Sequence, residues 1–90
     1  MIDVQRIDDT RFDVTIEGRF TTQHEVTVDP EYYEHLTGGR VPVEVLVTRS
    51  FEFLLRREPN TSILERFDLH VISSYFPEYE REIRDVLKGK

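Results

Sequence analysis

The sequence contains no cysteine. That absence excludes thiol catalysis, disulfide bonds, cysteine-ligated zinc and iron–sulfur clusters, because each of these needs a thiolate or a disulfide. Apolar runs are also short: the longest, such as Val45-Leu46-Val47, have three residues, whereas a membrane-spanning helix needs about 20. Residues 1–14 carry charges throughout and lack the basic and apolar segments of a secretory signal. We therefore expect a cytoplasmic protein with no membrane partner.

An excess of basic charge is missing as well. The 90 residues have a formal net charge of −6, and residues 1–40, with nine acidic and four basic side chains, hold −5 of it. Nucleic-acid affinity comes mostly from neutralising phosphates, so we expect no DNA or RNA partner. The bases are ten Arg and two Lys. This ratio favours bidentate pairing with carboxylates, although the codon usage of a GC-rich genome explains it equally well.

Apolar side chains are sufficient for one core. Hydrophobic residues make up 38% of the chain, with six Phe and four Tyr. A chain of this length folds as one domain without metal or disulfides when such a core is present. No repeat, low-complexity tract or linker interrupts it, so we predict a single domain over residues 1–90.

The N-terminal third has the alternation of β-strands. Residues 11–17 and 20–28 each place apolar side chains on one face and polar side chains on the other, which is typical of half-buried strands. Gly18-Arg19 between them predicts a hairpin. Residues 2–7 are a candidate third strand, left open because the alternation breaks at Arg6. Strands are thus predicted within residues 2–28.

The register of this hairpin follows from parity. A two-residue loop would place the apolar faces of the two strands on opposite sides of the sheet, so it is rejected. A common face requires Ile16 to pair with Phe20 or with Thr22, through a loop of three or five residues. In either loop we expect Gly18 to supply a positive φ.

The rest of the chain is predicted to be helical. We expect helices over residues 30–37, 42–57, 62–76 and 77–88. The first is bounded by Asp29, a good N-cap, and by Gly38-Gly39. Ser62-Ile63-Leu64-Glu65 matches a capping box that would start the third. Pro77 would open the fourth.

The second of these helices is the most informative segment. Its apolar side chains cover more than half of the circumference, so it must be buried on several sides. The alternating valines of residues 41–47 leave a strand there as the alternative. We predict an α+β domain in which an N-terminal antiparallel β-hairpin, with the third strand open, packs against three to four C-terminal helices around this buried central helix.

No pattern of catalytic or metal-binding residues is present. His24, His35 and His70 lack the spacing of a metal site, and no serine lies in a nucleophile elbow. Gly38-Gly39-Arg40 lacks the Lys-Ser/Thr pair of a phosphate-binding loop. We therefore predict that the protein is not an enzyme and uses no cofactor.

Two functional hypotheses remain. The first is a non-enzymatic protein-binding or regulatory module that recognises another protein or a second copy of the chain. Its candidate binding residues are Tyr32, Tyr33, Arg56 and Arg57, since Tyr and Arg dominate binding hot spots. The alternative is a small-ligand or metal site between the hairpin and the helices, lined by His24.

Overall fold

A computed structural model describes residues 1–88 of the chain. The elements in chain order are β1 (Ile2–Arg6), β2 (Arg11–Ile16), β3 (Thr22–Thr27), α1 (Pro30–Thr37), α2 (Val43–Leu55), β4 (Arg66–Asp68), α3 (Val71–Tyr75) and α4 (Tyr79–Leu87), with a 3₁₀ turn at Asn60–Ser62. The strands form one sheet in the order β1-β2-β3-β4. The first three are antiparallel, and β4 runs parallel to β3. The predicted α+β class is confirmed.

The hairpin agrees with the parity argument, and the candidate third strand is present as β1. Ile16 pairs with Thr22, which leaves a loop of five residues, and β1 pairs with β2 from Ile2↔Ile16 to Arg6↔Phe12. The prediction for Gly18 is wrong: within residues 1–88 positive φ occurs only at Gly38 and Gly39. A five-residue loop can reverse the chain over several peptide units, so it does not need a left-handed residue.

One face of the sheet packs against the core. The inward side chains of β2 and β3 are buried, whereas their neighbours along each strand are exposed or partly exposed. This is the expected result of a side-chain period of two. The buried residues of this face are Phe12, Val14, Ile16, His24 and Val26.

Helix α2 lies at the centre of the domain, as predicted. It begins one residue after Pro42 and ends at Leu55, so the alternative strand over residues 41–47 is wrong. The helix packs against β1, α1 and α4. Its buried residues are Leu46, Val47, Ser50, Phe51, Phe53 and Leu54. A helix with partners on several sides can bury apolar residues all round, which accounts for the pattern in the sequence.

The predicted helix over residues 62–76 is wrong in its first half. The chain leaves the 3₁₀ turn in an extended conformation at Ile63 (ψ 138°) and forms β4 instead. Glu25 N donates to Glu65 O at 2.8 Å, and Leu69 N donates to Thr27 O at 2.9 Å. The long-range ladder with β3 thus outweighs the local capping box, and only the single turn of α3 remains helical.

The other helix boundaries lie close to their predicted positions. Helix α1 matches residues 30–37 and ends at Gly38, which is left-handed with φ 66°. Asp29 occupies the N-cap position without a side-chain hydrogen bond. Helix α4 begins at Tyr79, so Pro77 precedes it and does not open it. The last two residues of the predicted single domain lie outside the described residues.

A charge in the centre of the core should unfold the domain. The Phe51 side chain is 0% exposed and that of Leu54 is 3% exposed. An unpaired buried carboxylate costs about 3–5 kcal/mol or more, out of a total stability of roughly 5–13 kcal/mol for a chain of this length. We expect Phe51→Asp and Leu54→Asp to abolish the cooperative thermal transition followed by circular dichroism. Phe20→Asp, at a position that is 63% exposed, is the control and should melt like the wild type. A Phe51→Asp variant with the wild-type Tm would show that α2 is not central.

The turn between β1 and β2 should make stability depend on acid pH. The Asp8 carboxylate accepts hydrogen bonds from Thr10 N at 3.0 Å, Arg11 N at 2.9 Å and Arg11 Nε at 2.8 Å. The Thr10 amide first, and then Arg11, lower the pKa of Asp8 below its ordinary value of 3.8. Since the folded pKa is the lower one, this contribution is complete above the unfolded pKa and is lost as pH falls through the folded pKa.

This pH dependence can be measured by urea unfolding between about pH 2 and pH 6, with the Asp8 pKa followed by NMR. Asp8→Asn should be less stable than the wild type near neutral pH and should lose less stability on acidification. Asp9→Asn is the matched control, because the Asp9 side chain makes no hydrogen bond within residues 1–88. Identical acid branches for Asp8→Asn and the wild type would contradict the assignment.

Candidate functional site

The two tyrosines predicted to bind a partner use their hydroxyls within the chain. Tyr32 donates to Glu80 Oε2 at 2.9 Å, and Tyr33 donates to the backbone carbonyl of Val41. Both side chains are half-buried. Burial, together with the nearby Glu80 carboxylate, raises the pKa of Tyr32 above its usual 10. These tyrosines attach α1 to α4 and to the segment that precedes α2.

Of the two predicted arginines, Arg57 is also engaged internally. Its guanidinium lies 3.6 Å from the centre of the Phe53 ring, a cation–π contact. It also donates to Glu78 at 3.1 Å and to Glu82 at 3.0 Å. The backbone amide of Glu78 itself, followed by Arg57, lowers the pKa of the Glu78 carboxyl. Arg56, which is exposed at the end of α2, forms no salt bridge within residues 1–88.

The structure places Tyr32 and Arg57 on different sides of α4. Arg57 bonds to Glu78 and Glu82, which lie on the same side of α4 because they are four residues apart. Tyr32 bonds to Glu80, which projects from the opposite side. The first turn of α4 therefore separates Tyr32 from Arg57.

His24, the residue central to the alternative hypothesis, is part of the core. It is 3% exposed, and its ring centre lies 5.6 Å from that of Phe51. Its Nδ1 donates to Leu64 O at 2.7 Å, and its Nε2 lies 2.9 Å from Thr22 Oγ1. Both ring nitrogens are thus occupied, and neither has a free lone pair for a metal or ligand.

The three histidines do not meet. His35 and His70 each lie beside the Tyr32 ring, with centroid distances of 6.4 and 6.1 Å. In the described part of the chain no group of three potential ligands among His, Asp and Glu is arranged to hold a metal ion. Side chains of the hairpin and of the helices belong to one buried apolar cluster, which includes Phe12, Val14 and Phe51.

An apolar groove lies at the C-terminal end of α2. It has a volume of about 180 Å³ and is open to solvent. We call it the apolar groove; its lining residues are Leu54, Glu58, Ser62, Ile63, Leu64, Phe67, Val71, Ile72, Tyr75 and Phe76. Leu54, Phe67 and Ile72 are buried, whereas Leu64 and Tyr75 are 47% and 65% exposed. The groove is therefore a place where the core reaches the surface between two exposed apolar side chains.

Hydrogen bonds fix one wall of the apolar groove to the sheet. Asn60 Nδ2 donates to Phe20 O and to Thr22 Oγ1, both at 2.9 Å. The bond from His24 to Leu64 O holds the next part of the same loop. This wall is attached to β3 at both of its ends, so its position is set by the fold of the chain.

The opposite wall is held by aromatic packing. Phe76 makes an edge-to-face contact with Phe53 of α2, with ring centroids 5.9 Å apart. Phe53 in turn contacts Tyr79 at 5.2 Å. The end of α3 is thus attached to the helical side of the core, and Tyr75 projects beyond it.

Strand β4 leaves unpaired backbone groups beside the groove. The backbone groups of Glu65 and Leu69 bond to β3. Because every second residue of a strand faces the same neighbouring strand, Phe67 bonds to β3 as well. Arg66 and Asp68 point their N–H and C=O groups away from the sheet, and no hydrogen bond from residues 1–88 reaches those groups. Three acidic side chains lie in this part of the chain: Glu58 in the groove, Glu65 just before β4 and Asp68 in β4. None of them forms a salt bridge within residues 1–88.

Sequence reasoning missed most of this groove. Tyr75 and Phe76 are noticeable as aromatics at a helix junction, but the capping box predicts a helix at Leu64. The available signal is the alternation that places Phe67 and Leu69 in the core with Asp68 exposed between them. Three residues of alternation are too few to outweigh a four-residue capping motif.

Comparisons with protein-family models, with curated proteins and with solved structures give no match. Among residues 1–88, no helix has the length and hydrophobicity needed to cross a bilayer. The functional argument therefore rests on the geometry of the apolar groove and of the strand beside it.

Proposed function

We propose that the protein is a non-enzymatic binding module that captures a short, extended apolar segment of a partner protein in the apolar groove. The observation that carries this proposal is the exposure of Leu64 and Tyr75 on either side of an apolar cleft. Large exposed apolar side chains that border a concave surface are typical of protein interaction sites.

The size of the groove favours a peptide side chain over a metabolite. Small-molecule sites commonly enclose about 300–1,000 Å³ and place several polar groups around the ligand. The apolar groove has about 180 Å³, and its polar lining is limited to Glu58, Ser62 and the Tyr75 hydroxyl. One or two bulky apolar side chains fit this volume, and the lining has no pair of titratable groups that would support acid–base catalysis.

The free edge of β4 supports an extended partner. Backbone groups of Arg66 and Asp68 are available for hydrogen bonds, as in β-augmentation, where a peptide adds one strand to an exposed sheet edge. Alternate side chains of such a strand would face Phe67 and the apolar groove. Affinity would come from the backbone bonds, and specificity from the residue that enters the groove.

Charge around the groove favours basic residues in the partner. Glu58 lines the groove, and Glu65 and Asp68 belong to the adjoining β4 segment, where Arg66 is the one basic side chain of the strand itself. The whole chain is acidic, with a net charge of −6. We therefore propose a segment with a bulky apolar residue next to Lys or Arg, whose association is accelerated at low salt.

The alternative hypothesis of a ligand or metal site at His24 has less support. Such a site would have to break the bond from His24 to Leu64 O and then open the packing against Phe51. The apolar groove requires neither change.

A peptide selection with matched variants tests the proposal. A random phage-displayed library should yield peptides that combine a bulky apolar residue with Lys or Arg. We expect Leu64→Ser and Tyr75→Ser to weaken the selected peptides by about 10-fold or more, as for the loss of a hot-spot side chain. Ile7→Ser is the control, because Ile7 is 47% exposed, lies after β1 at the opposite edge of the sheet and does not line the groove, and it should bind like the wild type.

Thermal melts of all three variants establish that they remain folded. Selected peptides that bind Tyr75→Ser and Leu64→Ser as tightly as the wild type would contradict the groove as the site. Failure to select any peptide would contradict the proposal as a whole.

A further inference from the structure

The opposite edge of the sheet is formed by β1. Glu17 N donates to Met1 O at 2.9 Å, and Ile7 N donates to Arg11 O at 2.8 Å. Because hydrogen-bonded and non-hydrogen-bonded positions alternate in an antiparallel ladder, the odd-numbered residues of this segment bond to β2. The backbone N–H and C=O groups of Ile2, Val4 and Arg6 face outward, and no hydrogen bond from residues 1–88 reaches them.

This edge lacks two of the features that protect edge strands, because it contains no proline and its pairing with β2 is continuous from Ile2 to Arg6 without a bulge. Its charged side chains are Asp3 and Arg6, and Arg6 is held by Glu44 of α2 at 3.3 Å. On the inner face, Ile2 and Val4 pack against the core but are only partly buried. The edge therefore presents both unsatisfied backbone groups and apolar surface.

From this edge we infer that the chain forms a two-fold dimer, in which β1 pairs antiparallel with β1 of a second copy. The axis passes at Val4, so that Val4 faces Val4 of the second copy and Ile2 faces its Arg6. In this register every outward donor and acceptor of the three residues finds a partner. The inner-face contact between the two valines covers apolar surface that each copy leaves partly exposed.

Side chains on the outer face select this register. Asp3 faces Gln5 of the second copy, and the Gln5 amide already donates to Asp3 within its own strand at 3.3 Å. Sliding the pairing by two residues in one direction would place Asp3 against Asp3, which is repulsive. Sliding the pairing by two residues in the other direction would place Ile2 opposite Asp8, which lies beyond the end of β1 in the second copy. A slide by one residue would invert the apolar face.

A second copy suits this edge better than an unrelated strand because the pairing is isologous. Each β1 supplies the same groups that it needs, and pairing consumes both β1 edges, so assembly through β1 stops at two copies. The dimer would have a continuous eight-stranded sheet with the two β4 edges at its ends. This inference does not depend on the proposed peptide binding, since β1 and the apolar groove share no residue.

Backbone methylation tests the edge directly. At 90 residues the chain is accessible to chemical synthesis with an N-methyl group at Val4, which removes the outward donor and keeps the side chain. Sedimentation equilibrium over a concentration series should show a monomer–dimer equilibrium for the wild type and a monomer for N-methyl-Val4. The control is N-methyl-Arg66, which blocks an outward donor on β4 and should dimerise like the wild type.

At a chain concentration of about 1 mM, even a weak dimer with a dissociation free energy of roughly 4 kcal/mol would be detected. A wild-type chain that is still monomeric at this concentration would overturn the inference. Loss of the dimer in N-methyl-Arg66 but not in N-methyl-Val4 would move the interface to β4 and overturn it as well.

Substitutions at Gln5 test the register. Gln5→Lys places an ammonium opposite Asp3 of the second copy twice in each dimer, and Gln5→Glu places a carboxylate there. We expect about 5-fold tighter and about 5-fold weaker dimerisation, respectively, at low salt. Added salt should reduce both differences. Asp13 lies opposite Gln5 within the same chain, so monomer stability is measured separately by urea unfolding. Equal dimer constants for all three proteins would exclude this register.

Discussion

The burial of α2 on two opposite sides is the constraint on which the rest of the structure depends. On the sheet side, the Phe51 ring lies 5.6 Å from His24 and 5.9 Å from Phe67. On the helical side, Ser50 Oγ and Tyr79 Oη are 2.6 Å apart in a fully buried hydrogen bond. An unpaired hydroxyl at either position would be costly, so this bond fixes how α4 lies against α2. The sheet and the C-terminal helices are thus positioned by one element.

The candidate site follows from where this central helix ends. Leu54 and Glu58 line the apolar groove, and Arg57 between them pairs with the first turn of α4. The chain then crosses to the edge of the sheet and adds β4 next to β3. Because β4 has only three residues, it does not cover the core beneath it, and the groove remains open there. The same sheet also ends at β1, so β1 and β4 are its two edge strands.

The parts of the fold that the sequence predicts are those specified by local patterns. Apolar residues all round α2 indicated its burial, and parity excluded the wrong hairpin loops. Strand β4 was not predictable in this way, because its pairing partner Glu25 lies about 40 residues away and the local segment matches a capping box. The role of the candidate binding residues stays a prediction, and the sequence did not indicate their contacts within the chain. Tyr32 and Arg57 have the character of hot-spot residues, but their partners Glu80 and Glu82 belong to a distant helix.

Native-state hydrogen exchange of the α2 amides tests the central claim most directly. If α2 is held on both sides, its amides between Leu46 and Leu54 should exchange only through global unfolding, with a free energy equal to that from urea denaturation. Exchange of these amides through a lower-energy opening, while β2 and β3 remain protected, would contradict the account. In that case the sheet would be the stable unit, and α2 would be a peripheral element attached to it.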